Sequence, residues 1–423
     1  MKNKKTQSNI ILDSQSEERI VIKELSNGLR VVAEEMPAHF PCSISISILS
    51  GSRDEIDIPN GTAHFLEHIV FRRTKRLKSK QIAKEFEKYG AIANAFTTKE
   101  YTSYFATANS NNLKKVFNLL YEVVLDPEFN QKDIDKERKI IIDEIVSAEE
   151  DPEDLITDKI AQMQFPNQQV SMPIAGSVAT VNDINITHLN YFFEDTYNPN
   201  NIIIAYAGAN IDYFFELLDK QEYRKNTKKK KKSKLKLSPA STLESDSNIT
   251  NQTHLMLSII NNKCDNDIRT AFAMFNIMLS EAMSSRLYQT LRESRAITYN
   301  IFSGITNYTD FTELYIYTSF DNKKKARVLD IIKKEFDKLS KKSFAKTELK
   351  IAKELLKTYS LMENEGSLNK VSNLTRQIML YNKIEDSKDI LKSINEYPYE
   401  KIEEFTKETF NFDNWFKYML IPN

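Results

Sequence analysis

Gly61-Thr-Ala-His-Phe-Leu-Glu-His-Ile-Val-Phe71 sets two imidazoles four residues apart with a carboxylate between them, at His64, Glu67 and His68. On a helix those spacings bring all three side chains to one face. Phe65, Leu66, Ile69, Val70 and Phe71 fill the other positions, so the segment reads as an interior helix with a single polar stripe. Ionisable groups on a buried face are costly unless they are paired or bound to metal. Two neutral imidazoles beside a carboxylate that can take a proton form the donor set of a catalytic zinc site. The order here is His-x-x-Glu-His, the inverse of the commoner His-Glu-x-x-His. The plainer reading is two surface or core histidines that happen to fall four apart, since short motifs carry false positives.

A third ligand decides between these readings, and Asp135-Lys-Glu-Arg-Lys-Ile-Ile-Ile-Asp-Glu-Ile-Val146 offers one. Ile134, Ile141 and Ile145 make an apolar stripe at helical spacing. Glu137 and Glu144, seven residues apart, share the face that carries Ile141, so neither is expected to sit comfortably in solvent. A solvated helix edge is the ordinary explanation for one such glutamate. Two in register, together with the unpaired His64, Glu67 and His68 stripe, favour a metal site. Glu144 is then the third ligand, and Glu137 orients His68 or Glu144 from behind.

Further segments carry a resemblance: Gly51-Ser-Arg-Asp-Glu55, Asn94-Ala-Phe-Thr-Thr-Lys-Glu-Tyr-Thr-Ser-Tyr104, Pro127-Glu-Phe129, Tyr197-Asn-Pro-Asn-Asn-Ile202, Gly208, Met283-Ser-Ser-Arg-Leu-Tyr-Gln-Thr-Leu-Arg-Glu293 and Tyr299. With the two helices above, they make nearly the whole chain resemble the pitrilysin and insulysin family of zinc peptidases. It is most similar to the short branch that includes the mitochondrial processing peptidase. The resemblance implies zinc on His64, His68 and Glu144, Glu67 as general base, and Glu137 behind them. It also implies that Arg292 and Tyr299 polarise the scissile carbonyl of a peptide held as an extra strand along Asn94, Ala95, Phe96 and Thr97. Read without it, Arg292 and Tyr299 are a helix-end cation and a strand phenol with no substrate role. The fold it implies is α+β: two related domains, each a mostly antiparallel sheet backed by helices, forming a hinged half-shell that assembles as a homodimer or with a related partner. A non-catalytic scaffold or heterodimer-partner subunit is the rival function. One departure from the family pattern stands out. Leu279-Ser-Glu-Ala-Met and Ala296-Ile-Thr-Tyr299 stand where the family has glycines, which puts the loop geometry around Arg292 and Tyr299 in question.

The rest of the chain bounds the answer. Its 423 residues exceed what one core organises. With 59 basic and 59 acidic residues the net charge is zero, so no global field points to nucleic acid. Cys42 and Cys264 are far apart and suggest neither a disulfide framework nor zinc ligation. No apolar run reaches membrane-spanning length and no signal-peptide core follows the basic start, which predicts a cytoplasmic protein. Asn27-Gly28 predicts a hairpin turn, and Ser43–Ser50 alternates as a half-buried strand. Arg224-Lys-Asn-Thr-Lys-Lys-Lys-Lys-Lys-Ser-Lys-Leu-Lys236 reads as a solvated linker, or less simply as a patch for acidic lipid or nucleic acid. The expected organisation is a loose segment at 1–18, a zinc-binding domain at 19–215, the Lys-rich linker at 216–246 and a substrate-binding domain at 247–423.

Overall fold

The computed structural model describes residues 9–11, 19–221 and 234–423, the first three by their backbone only. The chain forms two compact units. The first draws its described residues from Met1–Val146, Met172–Lys234 and Glu363–Asp386, the second from Ser147–Ser171, Leu235–Met362 and Ser387–Asn423.

The first unit is built on seven strands: β1 (Asn9–Ile11), β2 (Ile20–Glu24), β3 (Arg30–Glu35), β4 (Cys42–Ile48), β5 (Ile92–Thr97), β6 (Thr102–Ala108) and β7 (Ile202–Gly208). Their order is β1-β2-β3-β7-β4-β6-β5. Only β3 and β7 run parallel; every other pair is antiparallel. One face carries Val31, Ile44, Ile46, Tyr104 and Ile204 into a core with the helices Thr62–Val70 and Leu113–Leu125. β5 forms the edge next to those helices, paired with β6 so that Thr97 lies opposite Thr102.

β4 corrects the expectation of a half-buried strand, because all seven of its residues are buried. Ile44, Ile46 and Ile48 enter the main core, while Ser43 and Ser45 face the helix Gly366–Tyr381. Buried hydroxyls are costly unless hydrogen-bonded, and these are. The Ser43 and Ser367 hydroxyls lie 2.8 Å apart, those of Ser45 and Thr375 3.4 Å, and those of Ser47 and Ser103 2.9 Å. Val371, Leu374 and Ile378 of the same helix pack on Val32, Ile203 and Ala205.

The second unit holds five strands: β8 (Thr242–Ser247), β9 (Thr253–Asn261), β10 (Thr298–Asn307), β11 (Thr312–Phe320) and β12 (Phe416–Pro422). Their order is β10-β11-β9-β12-β8, again with one parallel pair, β12 and β8. Ile156 and Ile160 of the helix Pro152–Gln164 pack on Met256 and Tyr317 of this sheet. The other core joins Leu255, Leu257, Leu314 and Ile316 to Phe272, Phe336 and Trp415.

The division of the chain therefore departs from the contiguous boundaries expected. Residues 147–171 belong to the second unit and residues 363–386 to the first. A basic run marks solvated sequence, but it does not encode which sheet a distant helix will cover. The ends of the expected linker are also ordered: the helix Ile211–Leu218 takes one and β8 the other. The Lys-rich centre at 222–233 lies outside the described residues. Within the expected loose start, Asn9–Ile11 adds an edge strand to β2.

Candidate metal centre

The helix Thr62–Val70 begins at Gly61, whose φ of 95° favours a residue without Cβ. Its first amides are capped by a buried carboxylate rather than by a neighbouring hydroxyl. Glu55 Oε1 accepts from the Ala63 amide at 2.7 Å, and Oε2 from the Gly61 amide at 3.0 Å and the Asn60 amide group at 2.7 Å. Burial pushes the Glu55 carboxyl up to about 7, against the pull of those donors. Phe65, Leu66, Ile69 and Val70 are fully buried, which fixes the helix's rotation. That rotation leaves His64, Glu67 and His68 facing the helix Gln131–Glu149 and the end of β5.

The first two expected ligands and the third come together. Glu144 Oε1 lies 3.8 Å from His64 Nε2 and Glu144 Oε2 3.7 Å from His68 Nε2. One ligand atom from each residue can be chosen so that all lie within 4.8 Å of one another, and no other such group occurs among the described residues. Donors about 2 Å from a tetrahedral ion stand roughly 3.3 Å apart, and the two carboxylate–imidazole separations lie within about 0.5 Å of that. The protonation state of His64 suits a cation. Burial, with His68 adding to it, pushes His64 down to about 3, so its imidazole is neutral. Among the described residues its buried Nδ1 has no hydrogen-bond partner. The donor set and its spacing fit zinc.

Glu137 sits behind His68, with Oε1 3.1 Å from His68 Nδ1. Burial lowers the His68 imidazole, but the hydrogen bond to Glu137 and the nearby Glu67 and Glu144 outweigh it and raise the ring above its ordinary value. Glu137 in turn accepts from Arg72 Nε. Sequence reasoning passed over Arg72, although it follows His64 and His68 at the same four-residue interval. The expectation that both glutamates avoid solvent holds for Glu137 alone: its side chain is 7 % exposed, whereas that of Glu144 is 52 % exposed. Glu137 fills a packed position with two partners, while Glu144 reaches the two imidazoles across an open edge.

Glu67 accepts a hydrogen bond from Thr97 Oγ1 at 2.6 Å. Burial raises its pKa, Thr97 and His68 oppose that, and Glu144 adds to it. Thr97 ends the edge strand that also carries Asn94, Ala95 and Phe96. Asn94 is exposed, and Phe96 packs edge-on against Tyr101 at 5.6 Å.

Arg292 and Tyr299 lie in the second unit. The segment before Arg292 forms an α-helix, Asn266–Asn276, followed by two π-helical stretches, Ile277–Glu281 and Tyr288–Glu293. Such wide turns are rare and gather at functional sites. Arg292 in the second stretch stacks between Tyr288 and Tyr299, its guanidinium carbon 4.9 Å and 5.3 Å from their ring centres. Tyr299 is 84 % exposed at an irregularity of β10. Ala296 holds a φ of 46°, a left-handed conformation without the glycine that would suit it.

Two sequence models of one family match the chain: Insulinase (Peptidase family M16) over residues 30–178 and Peptidase M16 inactive domain over 183–356. The chain belongs to peptidase family M16. His64, Glu67, His68, Glu137 and Glu144 all fall in the first M16 match, Arg292 and Tyr299 in the second. An uncharacterized zinc protease of Mycobacterium leprae is 28 % identical over 396 residues, covering 92 % of this chain and 88 % of the relative. One from Bacillus subtilis is 27 % identical over 387 residues, covering 92 % and 95 %. A crystal structure of a protease from Helicobacter pylori superimposes with a TM-score of 0.87 at 20 % identity, over 96 % of this chain and all of that one. A peptidase M16 inactive domain from Pseudomonas fluorescens gives 0.88 at 19 %, over 96 % and 98 %. These two likenesses establish the shared two-domain fold.

Proposed function

We propose that this M16 chain is a zinc-dependent endopeptidase. The observation that carries the reading is the convergence of His64, His68 and Glu144 beside a carboxylate, Glu67, whose orientation is fixed by Thr97. Zinc held by those three residues supplies Lewis acidity to a water and to a scissile carbonyl. Glu67 takes the proton from the attacking water and passes it to the leaving amine nitrogen. Its raised pKa suits a group that must both accept and return a proton. Glu137 fixes the His68 tautomer by accepting from Nδ1, which leaves Nε2 as the ligand atom. Arg72 neutralises Glu137 from its other oxygen.

The substrate is a peptide. β5 pairs with β6 alone among the described residues, so alternate residues along 94–97 present main-chain groups to an added strand, which would replace the bond the Ala95 amide now gives to Asn94 Oδ1 at 2.8 Å. Main-chain pairing of this kind tolerates many side chains. Arg292 and Tyr299 are assigned to the developing oxyanion as a cation and a phenol donor, and the stacking of Arg292 between two rings holds it ready. A homodimer, or a pair with a related chain, and a cytoplasmic setting complete the proposal. No helix among the described residues is long and apolar enough to cross a membrane.

The experiment is zinc stoichiometry and cleavage of a mixed peptide library for the wild type, His68→Ala and Glu144→Ala. One zinc per wild-type chain, lost together with cleavage in both variants, supports the reading. Zinc retained in either variant removes that residue from the ligand set. A wild type with zinc but no cleavage turns the weight to the non-catalytic subunit.

A further inference from the structure

Thr97 is implied by the family resemblance as one of four residues that hold the peptide strand, but its hydroxyl is committed elsewhere. Thr97 Oγ1 carries one proton and has two polar neighbours: Glu67 Oε2 at 2.6 Å and Thr102 Oγ1 at 3.5 Å. The Thr102 hydroxyl donates to the Ser50 carbonyl at 3.1 Å. A carboxylate only accepts, so Thr97 gives its one proton to Glu67 across the short contact, a charge-assisted bond. Glu67 Oε1 has no hydrogen-bond partner among the described residues.

The strand end behind Thr97 is braced by its own turn and by residues 52–53. Within the turn, the Thr98 amide donates to the Tyr101 carbonyl at 2.8 Å and the Thr98 hydroxyl to the same carbonyl at 2.9 Å. The Ser52 amide donates to the Thr98 carbonyl at 3.2 Å and the Arg53 amide to the Lys99 carbonyl at 2.9 Å. Arg53 Nη1 reaches Glu100 Oε1 at 3.0 Å, with both side chains 4 % exposed. Lys99 Nζ donates to the Met172 carbonyl. Main-chain bonds within the turn and from Ser52 and Arg53, a buried ion pair and the Lys99 contact thus brace the turn next to Thr97, the residue that hydrogen-bonds Glu67.

We propose that Thr97 is a positioning residue for the base: it pins Glu67 Oε2 and leaves Oε1 as the oxygen that takes the proton. This rests on the peptidase reading above. The strand expected to hold the peptide would then also hold the base, linking the register of the substrate to the aim of the carboxylate.

The test compares Thr97→Val, which keeps the shape and removes the donor, with Thr97→Ser, which keeps the donor. Each is assayed on an internally quenched peptide taken from the library hits of the wild type, with zinc content and thermal midpoint measured alongside. Thr97→Val is expected to lower kcat by about 10- to 100-fold, the range for a misaimed reacting group, with KM and zinc stoichiometry unchanged and Thr97→Ser restoring most of the rate. A rise in KM alone makes Thr97 a peptide-binding residue and overturns the proposal. So does an unaltered kcat, or an equal loss in Thr97→Ser with its fold intact. A readout independent of turnover is a crystal structure of zinc-free Thr97→Val. The Glu67 carboxylate should leave its wild-type position, and an unmoved carboxylate refutes the idea even if the peptidase reading stands. Glu67→Gln that still cleaves the peptide would instead remove Glu67 as the base, the part of the peptidase reading on which the role of Thr97 rests.

Discussion

Gly51→Ala tests whether the braced turn at 98–101 transmits to the site. Gly51 is in an extended conformation, so the substitution brings no backbone strain of its own. The difficulty is space. A Cβ there would lie 2.7 Å from the Lys99 carbonyl carbon and 2.8 Å from its oxygen, and nearer still to the Thr98 carbonyl oxygen. Non-bonded heavy atoms settle at about 3.5 to 4 Å, so the turn must retreat by on the order of 1 Å. That retreat stretches the Ser52–Thr98 and Arg53–Lys99 main-chain bonds and shifts Thr97, the adjoining residue. His64, His68 and Glu144 sit on the helices Thr62–Val70 and Gln131–Glu149 rather than on the turn. Overpacking of this kind costs about 1–3 kcal/mol, and a misplacement of about 1 Å at a reacting group costs about 100-fold in rate. The expected result is a lower thermal midpoint, full zinc content by metal analysis, and kcat reduced about 100-fold on a quenched peptide. If kcat stays within about threefold of wild type while a crystal structure shows the turn displaced, the turn does not aim the base.

Glu137→Gln should weaken zinc binding by about 10- to 100-fold, because the partner of His68 Nδ1 loses its charge; a chelator competition titration measures this, and an unchanged affinity removes Glu137 from the site. Zinc affinity should also fall with pH. His68 has a raised pKa, so below that value the ion must displace its proton, and affinity drops by about tenfold per pH unit. His64, pushed down to about 3, stays neutral throughout and adds nothing to that slope; affinity that is flat down to about pH 5 would contradict the raised His68 pKa. Ala296→Gly should stabilise the second unit by about 0.5–1 kcal/mol, the relief of a left-handed alanine less the entropy glycine gains on unfolding. A denaturation midpoint that is unchanged or lower would show that the loop is not strained there.

Much of this architecture can be read from the chain, and the exceptions share one cause. The helix at Thr62–Val70 follows from local pattern, because Phe65, Leu66, Ile69 and Val70, its apolar positions, are the ones packed into the core. β4 misleads because serine scores as polar, while its hydroxyls are satisfied by Ser367 and Thr375, more than 300 residues away. The exchange of the helices Pro152–Gln164 and Gly366–Tyr381 between units is equally non-local. Among the candidate ligands, the spacing of His64 and His68 is local to one helix, whereas Glu144 joins them through the packing of a second. Arg72 left a trace in its interval from His68. Glu55 and Thr97 act through contacts that no spacing rule encodes, since each supports the His64 helix from a different segment.

The most direct test of the central claim is Glu67→Gln beside the wild type, with zinc stoichiometry and peptide-library cleavage measured on the same preparations. One zinc per chain in both, with cleavage present in the wild type and absent in the variant, is the result expected of a general base that is not a ligand. Equal cleavage by the two metal-loaded proteins would contradict it, and with it the assignment of this site as the peptidase centre.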